Sequence, residues 1–459
     1  MLLVRAAYFE FDFHSQPLPY TSLKLPGKSI MTQHAVLWSD TAPEPKSYLN
    51  KPFPSKTDVV VIGGGYTGTS ASLQLAKGGA HVTLLEAQTI GWGASSRNGG
   101  QALSCLHHTL ADAIKEHGQE RAKEMFLAAT RAADTVEQIV MGEKIDCDYV
   151  RCGNIEAAFK PSHFDVLKRE QKILHDLANY EVNILSKNEM ASELGTDSYH
   201  GLMINPRSGS LQPAKFVQGM ALAADHAGVD IHEGTRVLAI EKVGASPTNN
   251  GIRFIVKTNR GDIATKEIML AANAWIGSIV PQFRQRVFPA ESFVIATEPL
   301  PKELAQRLIP NSRVVYDTRK TLAYYRISAD NRMVWGGELT FAGVSPKINI
   351  NALRNGMVKV FPELSKFNID YFWQGTLGIT FDENAQAGQI DGMWYSMCYV
   401  GHGVTLATYL GQQMANGILG KASNNPFENL NIPFAPTYQG NAWFVNIGKI
   451  WFRFLDMLE

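Results

Sequence analysis

Three glycines, Gly63, Gly65 and Gly68, follow the apolar run at residues 57–62 and open a helix-like segment at about 66–78. In that order, such glycines permit a tight turn, a backbone that approaches a pyrophosphate, and close packing of helix on strand. A second apolar run ends at Glu86, 23 residues after Gly63. A carboxylate at about this spacing accepts hydrogen bonds from a ribose 2′-OH and disfavours NADP. The pattern predicts a strand–helix–strand unit that binds FAD or NAD.

Two further glycine-rich segments bear on the choice between these cofactors. Residues 91–101, GWGASSRNGGQ, form a loop whose N–H and hydroxyl groups can approach a phosphate-bearing ligand. The GHG turn at 401–403 precedes a helix predicted from about Val404, whose N-terminus would face an anion. An NAD dehydrogenase would continue into ordinary βαβ repeats, so these segments favour FAD. His402 is a candidate for a direct chemical role, and a purely structural role in the turn is the alternative.

The motifs at residues 59–87, 91–101 and 401–418 are similar to those of the D-amino-acid oxidase superfamily of FAD enzymes, which includes glycine oxidase and sarcosine oxidase. The resemblance is greatest to the γ-glutamylputrescine oxidoreductase-like branch. Four intermediate stretches agree in order: 208–237, 270–275, 324–338 and 373–388. The resemblance implies bound FAD and the following cofactor-binding residues: Gly63, Gly65, Tyr66, Thr67, Gly68, Glu86, Ala87, Gly93, Ala94, Ser95, Arg97, Asn98, Gly99, Gly100, Gln101, Val237, Gly375, Gly401, Gly403 and Val404.

The fold class implied is α/β, with a Rossmann-type FAD-binding domain and a discontinuous α+β substrate domain built on an antiparallel sheet. The expected FAD-binding domain comprises residues 41–104, 206–283 and 375–425. The expected substrate domain comprises residues 105–205 and 284–374. Residues 1–40 are expected to be an N-terminal extension, because the sequence from Met31 resembles the start of a protein. Residues 426–459 form the expected C-terminal tail.

The implied activity is oxidation of an amine to an imine, which hydrolyses to an aldehyde or keto acid plus an amine or ammonia. The flavin accepts the electrons, so no metal site is expected. Tyr325 and Arg326 lie in the strand where the resembled amino-acid oxidases place a carboxylate-binding arginine, and a guanidinium suits a carboxylate. We therefore expect them to position γ-glutamylputrescine or a related amine. A structural arginine in an ion pair is the alternative.

Two departures from the family pattern concern the cofactor and the electron acceptor. Residues 372–380 lack the cysteine to which sarcosine oxidases attach the flavin, so FAD is expected to be non-covalent. Residues 332–338 lack the lysine with which those oxidases activate oxygen. O2 is the expected acceptor, reduced to H2O2, and a quinone or another protein is the alternative. An NAD-dependent dehydrogenase and a non-catalytic flavin- or tRNA-binding module are the remaining alternatives.

Composition excludes several classes of protein. Lys+Arg and Asp+Glu both number 43, so the net charge of zero argues against a nucleic-acid partner. The four cysteines form no CxxC pair, which indicates neither zinc nor a disulfide framework and favours the cytoplasm. No apolar stretch approaches the ~20 residues that a membrane span needs. Apolar residues at helical spacing over 443–458 predict an amphipathic helix that contacts a membrane surface or packs on its own domain.

Overall fold

The computed structural model describes residues 33–244, 251–319, 322–340, 346–422, 425–436 and 438, together with the backbone of two earlier strands. Side chains are described in these ranges except at 338–340 and 346–349. The strands are β1 Leu23–Leu25, β2 Lys28–Ile30, β3 Lys56–Ile62, β4 Val82–Leu85, β5 Gln101–Ala102, β6 Asn154–Ala157, β7 Asn183–Ser186, β8 Gly201–Asn205, β9 Gly209–Ser210, β10 Asp230–His232, β11 Val237–Lys242, β12 Phe254–Thr258, β13 Gly261–Leu270, β14 Phe288–Thr297, β15 Val314–Asp317, β16 Tyr324–Ile327, β17 Met333–Thr340, β18 Ile369–Ile379, β19 Gln386–Ile390 and β20 Met393–Met397.

The α-helices are distributed among these strands along the chain. They are α1 Leu37–Thr41, α2 Tyr66–Lys77, α3 Leu110–His117, α4 Gln119–Gly142, α5 Pro161–Ala178, α6 Pro213–His226, α7 Ile276–Ile279, α8 Lys302–Leu308, α9 Pro346–Val360 and α10 Gly403–Ile418. Among the described residues, no helix is both long enough and apolar enough to cross a membrane.

The first large sheet contains the predicted strand–helix–strand unit. Its strand order is β10-β4-β3-β13-β12-β11, and β20, itself paired with β19, also pairs with β13. Strands β10, β4, β3, β13 and β20 run parallel, as expected for strands joined through helices. Val59, Val60 and Val61 of β3 are buried, because Val59 and Val61 pack against α2, α4 and α10 and Val60 packs on the other face with residues of β12, β13 and β20. Strand β3, helix α2 and strand β4 therefore form where the sequence predicts them.

The turn after β3 depends on glycine at two positions. Gly63 has φ +112°, a conformation that L side chains rarely adopt. A Cβ on Gly68 would lie 1.8 Å from the carbonyl oxygen of Gly63, so only glycine lets α2 pack this close to the turn. The roles that the sequence predicts for these two residues thus have a steric basis in the structure.

The second large sheet has the order β18-β14-β17-β16-β15-β6-β8-β7. All neighbouring strands are antiparallel except the parallel pair β15 and β6. One of its faces packs against α8, α9 and their neighbours in a core that contains Trp335, Tyr325 and Phe361. A Rossmann-type unit and a mainly antiparallel second sheet are both present, so the predicted fold class is confirmed.

Two sets of packing contacts cross the predicted domain boundaries. Helix α4 is predicted in the substrate domain, and its Met125, Ala129 and Val136 pack in the same core cluster as α2 and α10. Leu37 and Trp38 of α1, which precede residue 41, are buried. These residues of the expected N-terminal extension pack against Trp373 and Val294 of the second sheet. The predicted amphipathic segment at 443–458 lies outside the described residues.

Helix α10 packs directly on α2 through a glycine. A Cβ on Gly411 would lie 2.5 Å from the carbonyl oxygen of Thr67, a backbone atom that cannot rotate away. Ser70 donates a hydrogen bond of 2.7 Å to the Thr408 carbonyl across the same interface. The close approach of these two helices therefore requires a glycine at position 411 of α10.

We expect Gly411→Ala to lower the thermal unfolding midpoint, because overpacking at a tight contact typically costs about 1–3 kcal/mol. Gly142→Ala at the end of α4 is the matched control, since its Cβ would meet nothing within 4 Å. Scanning fluorimetry of both variants measures the difference. Equal midpoints for the two variants would show that α2 and α10 can move apart to accommodate the added methyl group without loss of stability.

Candidate active site

A cavity of about 1480 Å³ lies between the turn after β3 and one face of the second sheet. Every residue that the sequence predicts for cofactor binding or catalysis lines it, except Gly68, Gly100, Tyr325 and Arg326. Gly68 and Gly100 instead shape the adjacent backbone: Gly100 has φ +70°, and its Cβ would lie 2.3 Å from the Leu211 carbonyl oxygen. The cavity thus brings together residues more than 300 positions apart in the chain.

One end of the cavity is formed by the turn after β3 and the carboxylate of Glu86. Its two oxygens accept hydrogen bonds from the N–H groups of Gly64 at 2.7 Å and Gln88 at 2.8 Å. Burial raises the pKa of Glu86, and the backbone N–H groups oppose that rise because they stabilise the carboxylate. The acid therefore lies at the position where the sequence predicts contact with a ribose.

The N-terminus of α2 also faces this end. Its N-cap, Gly65, has no side chain to accept a hydrogen bond, and the N–H of Tyr66 donates instead to Ser95 Oγ of the 91–101 loop at 3.0 Å. Both residues line the cavity. The positive end of the helix dipole is thus directed to a space that the loop encloses, an arrangement suited to an anion.

The 91–101 loop is fixed by three consecutive backbone carbonyls. The carbonyl of Arg97 accepts from Trp373 Nε1 at 2.8 Å, that of Asn98 from Trp38 Nε1 at 2.8 Å, and that of Gly99 from Arg326 Nε at 2.8 Å. Inside the loop, Asn98 Nδ2 donates to two carbonyls and to Tyr66 Oη, and Asn98 Oδ1 accepts from the Gly100 N–H. Asn98 is thus a structural centre of the loop as well as a cavity residue.

The predicted substrate contacts at Tyr325 and Arg326 need correction. The guanidinium of Arg326 is buried and donates to the carbonyls of Gly99 at 2.8 Å and Leu211 at 2.7 Å. Tyr325 lies on the opposite face of the sheet, stacked on Trp335 with ring centroids 4.4 Å apart. Neither residue lines the cavity, and the hydrogen bonds of Arg326 hold the 91–101 loop in place.

His402 is the N-cap residue of α10 and is buried at the cavity wall. Its Nδ1 lies 3.1 Å from the Val400 carbonyl, which can only accept, so Nδ1 carries the proton. The unprotonated Nε2 then accepts from the thiol of Cys105 at 3.5 Å. Burial, with a smaller contribution from His107, lowers the pKa of His402 to about 4. The imidazole is therefore neutral at physiological pH.

Cys105 connects His402 to the second sheet. Its Sγ lies 3.6 Å from Tyr316 Oη on β15, and Tyr316 donates to Glu156 Oε2 on β6 at 3.1 Å. Burial raises the pKa of the Cys105 thiol to about 12, so it is a neutral hydrogen-bonding group. All four residues line the cavity, and they form a polar chain from the N-terminus of α10 to the sheet.

His107, His108 and Glu383 meet at another part of the cavity wall. One ligand atom from each lies within 4.8 Å of the other two, and His107 Nε2 is 3.3 Å from Glu383 Oε2. The sequence predicts no metal site, and it gives no local sign of this group, because Glu383 follows His107 by 276 residues. Glu156 and Tyr316 were missed for the same reason, since only the pairing of β6 with β15 makes them neighbours. Cys105 reaches Tyr316 from the loop between β5 and α3.

We expect Arg326→Met to lower the thermal midpoint markedly, because the buried carbonyls of Gly99 and Leu211 each lose a charged donor at about 1–3 kcal/mol. Arg307→Met is the matched control, since Arg307 is exposed and paired only with Glu363 in the described residues. Scanning fluorimetry compares the two. An unchanged midpoint for Arg326→Met, together with weaker binding of carboxylate ligands, would restore the substrate role.

The lowered pKa of His402 predicts a pH-dependent stability. In the unfolded chain, His402 is protonated below its ordinary pKa of about 6.5, whereas in the folded protein it stays neutral down to about pH 4. The free energy of unfolding should therefore fall by about 2 kcal/mol between pH 7 and pH 5 through this residue alone. Urea unfolding of the wild type and His402→Gln at both pH values isolates that part. Identical losses in the two proteins would contradict a neutral His402.

Comparison with known proteins agrees with this geometry. The family model described as FAD dependent oxidoreductase, DAO, matches residues 58–416. The probable oxidoreductase OrdL of Haemophilus influenzae is 33% identical over 410 residues, which cover 87% of this chain and 92% of that protein. Gamma-glutamylputrescine oxidoreductase of Escherichia coli is 31% identical over 405 residues, which cover 87% and 93%.

A solved structure shows the same fold. Glycine oxidase from Geobacillus kaustophilus superimposes with a TM-score of 0.71 at 20% identity, covering 82% of this chain and 99% of that one. The family match spans both sheets and the cavity between them. The chain therefore belongs to the DAO family of FAD-dependent oxidoreductases, enzymes that act on amines and amino acids.

Proposed function

We propose that the protein oxidises a primary amine, γ-glutamylputrescine or a related compound, to an imine that hydrolyses to an aldehyde, with O2 as the electron acceptor. The observation that carries this proposal is the single cavity that joins the predicted nucleotide site to the polar face of the second sheet. Similarity to the gamma-glutamylputrescine oxidoreductase of Escherichia coli supports the choice of amine.

The residues around the cavity fit FAD. Gly63, Gly65 and the open N-terminus of α2 leave room and N–H donors for a pyrophosphate, and Glu86 is available to a ribose. Arg97, whose Nε donates to the Trp92 carbonyl, lies where the loop meets the second sheet. We propose that all the predicted cofactor-binding residues that line the cavity contact FAD. Residues 372–380 offer no cysteine, so the proposed binding is non-covalent.

The N-terminus of α10 supplies the second electrostatic element. Gly403 begins the helix and lines the cavity, and the neutral His402 adds no competing charge. Free N–H groups at a helix N-terminus stabilise negative charge that develops near them. We propose that this end of α10 faces the flavin side of the cofactor.

Bound FAD supplies an acceptor for the hydrogen and two electrons that leave the carbon beside the amine nitrogen. The chain must bind the amine, direct that C–H bond to the cofactor and keep bulk water out. Tyr324, which donates to or accepts from Ser292 Oγ at 3.1 Å, and Tyr316 provide hydroxyl groups on the sheet face of the cavity. These groups would orient the substrate without taking part in a covalent step.

A cytoplasmic location is part of the proposal. All four cysteines are free, which agrees with a reducing compartment. The alternative that electrons pass to a quinone or a protein is favoured by one observation, the lack of lysine at residues 332–338. Contact of the C-terminal tail with a membrane would suit that alternative.

The purified holoenzyme should lose its flavin absorption band when γ-glutamylputrescine is added without oxygen, because the substrate reduces the cofactor. On admission of air, the band should return rapidly with one H2O2 per amine oxidised. Stopped-flow absorption and a peroxide assay measure both steps. Bleaching followed by slow recovery would assign the other acceptor, and a band that no amine bleaches would refute amine oxidation.

A further inference from the structure

Four side chains form a row across neighbouring strands of the second sheet. Strand register places Met203 of β8 opposite Glu156 of β6, Glu156 opposite Tyr316 of β15, and Tyr316 opposite Tyr324 of β16. Residues opposite each other share a face of the sheet, and all four line the cavity. Glu156 is the one charged member of this row.

Glu156, which is half-buried, differs from the buried acids Asp317 and Glu170 of the cavity wall. Asp317 pairs with Arg319, whose Nε is 2.8 Å from Oδ2, and Glu170 accepts from the Leu110 N–H at the start of α3. Glu156 accepts only from Tyr316, a neutral donor, and no basic side chain among the described residues forms an ion pair with it. Burial, with some repulsion from Glu170, raises the pKa of Glu156 to about 7. A desolvated carboxylate on a cavity wall is costly without a cation, and a ligand that brings one lowers that cost.

The position of Glu156 relates it to the reacting end of a substrate. Tyr316 and Cys105 connect it to His402 through contacts of 3.1, 3.6 and 3.5 Å, and His402 caps the helix proposed to face the flavin. The arginine that the sequence predicts for a substrate carboxylate, Arg326, is committed to backbone carbonyls instead. The sheet face of the cavity therefore offers a negative group where oxidation of an α-amino acid would call for a positive one.

We propose that Glu156 binds the ammonium group of the substrate and that it selects an alkylamine whose reacting carbon carries no carboxylate. The inference rests on the proposed amine oxidation and names the chemical class of its substrate. An ammonium placed against Glu156 and Tyr316 replaces its lost hydration with charge-assisted hydrogen bonds. An α-amino acid in the same position would bring its own carboxylate next to Glu156, where like charges repel strongly in a low-dielectric site.

The test compares an amine with a carboxylate of the same length. Holoenzyme is reduced with dithionite and desalted without oxygen so that no turnover occurs, and isothermal titration calorimetry then measures the dissociation constants of butylamine and butanoate. Wild type should bind butylamine more tightly. Glu156→Gln keeps the shape and a hydrogen bond to Tyr316, yet it should weaken butylamine by roughly 10- to 100-fold and leave butanoate equal or tighter.

Two further variants separate charge from structure. Glu363→Gln removes a carboxylate outside the cavity, paired with Arg307 in the described residues, and should change neither dissociation constant by more than about twofold. Glu156→Asp retains the charge and should keep the preference for butylamine over butanoate. With oxidised enzyme and the best amine, Glu156→Gln should raise KM far more than it lowers kcat, with the FAD content unchanged.

If the Glu156→Gln variant binds both ligands as wild type does and still oxidises amines, the proposed role of Glu156 is wrong and the proposed amine oxidation stands. Equal weakening of both ligands would also overturn it, because only the shape of the cavity would then matter. Wild-type enzyme that oxidises glycine or alanine as fast as alkylamines would refute the selection. If Glu156→Gln abolishes butylamine binding but no amine reduces the flavin of the wild-type enzyme, the ammonium site is supported and amine oxidation is refuted.

Discussion

The carbonyls of residues 97–99 each accept a hydrogen bond from a different part of the chain, and the position of the cofactor loop depends on them. Buried carbonyls must be paired, so the three donors are constraints on the fold rather than additions to it. Trp38 comes from α1, Arg326 from β16 and Trp373 from β18. The loop is thereby held between the two sheets, and the cavity obtains its shape at the point where they meet.

Two electrostatic features lie on different sides of the cavity. Helix N-termini at α2 and α10 present positive partial charge to the space near the glycine turns. The sheet on the other side presents hydroxyl groups and the carboxylate of Glu156. An anionic cofactor and a cationic substrate would each meet a complementary surface. His402, which burial keeps neutral, adds no charge of its own at the N-terminus of α10.

Local patterns in the sequence predict the cofactor half well. The run of β-branched residues, the three glycines and Glu86 lie within 30 positions, so strand β3, helix α2 and strand β4 follow from short-range rules. The substrate half depends on pairing between strands far apart in the chain. Glu156 and Tyr316 lie 160 positions apart and become neighbours only through the register of β6 and β15. The register of two strands this far apart cannot be predicted from residue spacing in a single sequence.

Arg326 illustrates the same limit in a different way. A guanidinium in a strand of the substrate sheet suits a carboxylate ligand, and the two-residue alternation of β16 places Arg326 on the same face as Tyr324. In the structure Tyr324 lines the cavity, whereas Arg326 reaches the carbonyls of Gly99 and Leu211 and does not. The chemistry of the residue was suited to either role. Its position next to the carbonyls of Gly99 and Leu211 could not be read from the sequence.

The contact between α2 and α10 has a consequence for the order in which the protein can be made. Helix α2 packs on the first sheet, and one of its surfaces is covered by α10 at Gly411. Gly411 is synthesised more than 300 residues after α2. At ordinary translation rates of roughly 5–20 residues per second, the nascent chain spends tens of seconds with that surface uncovered. The nucleotide-binding half therefore cannot mature as an independent N-terminal unit during synthesis, and completion of its core awaits nearly the whole polypeptide.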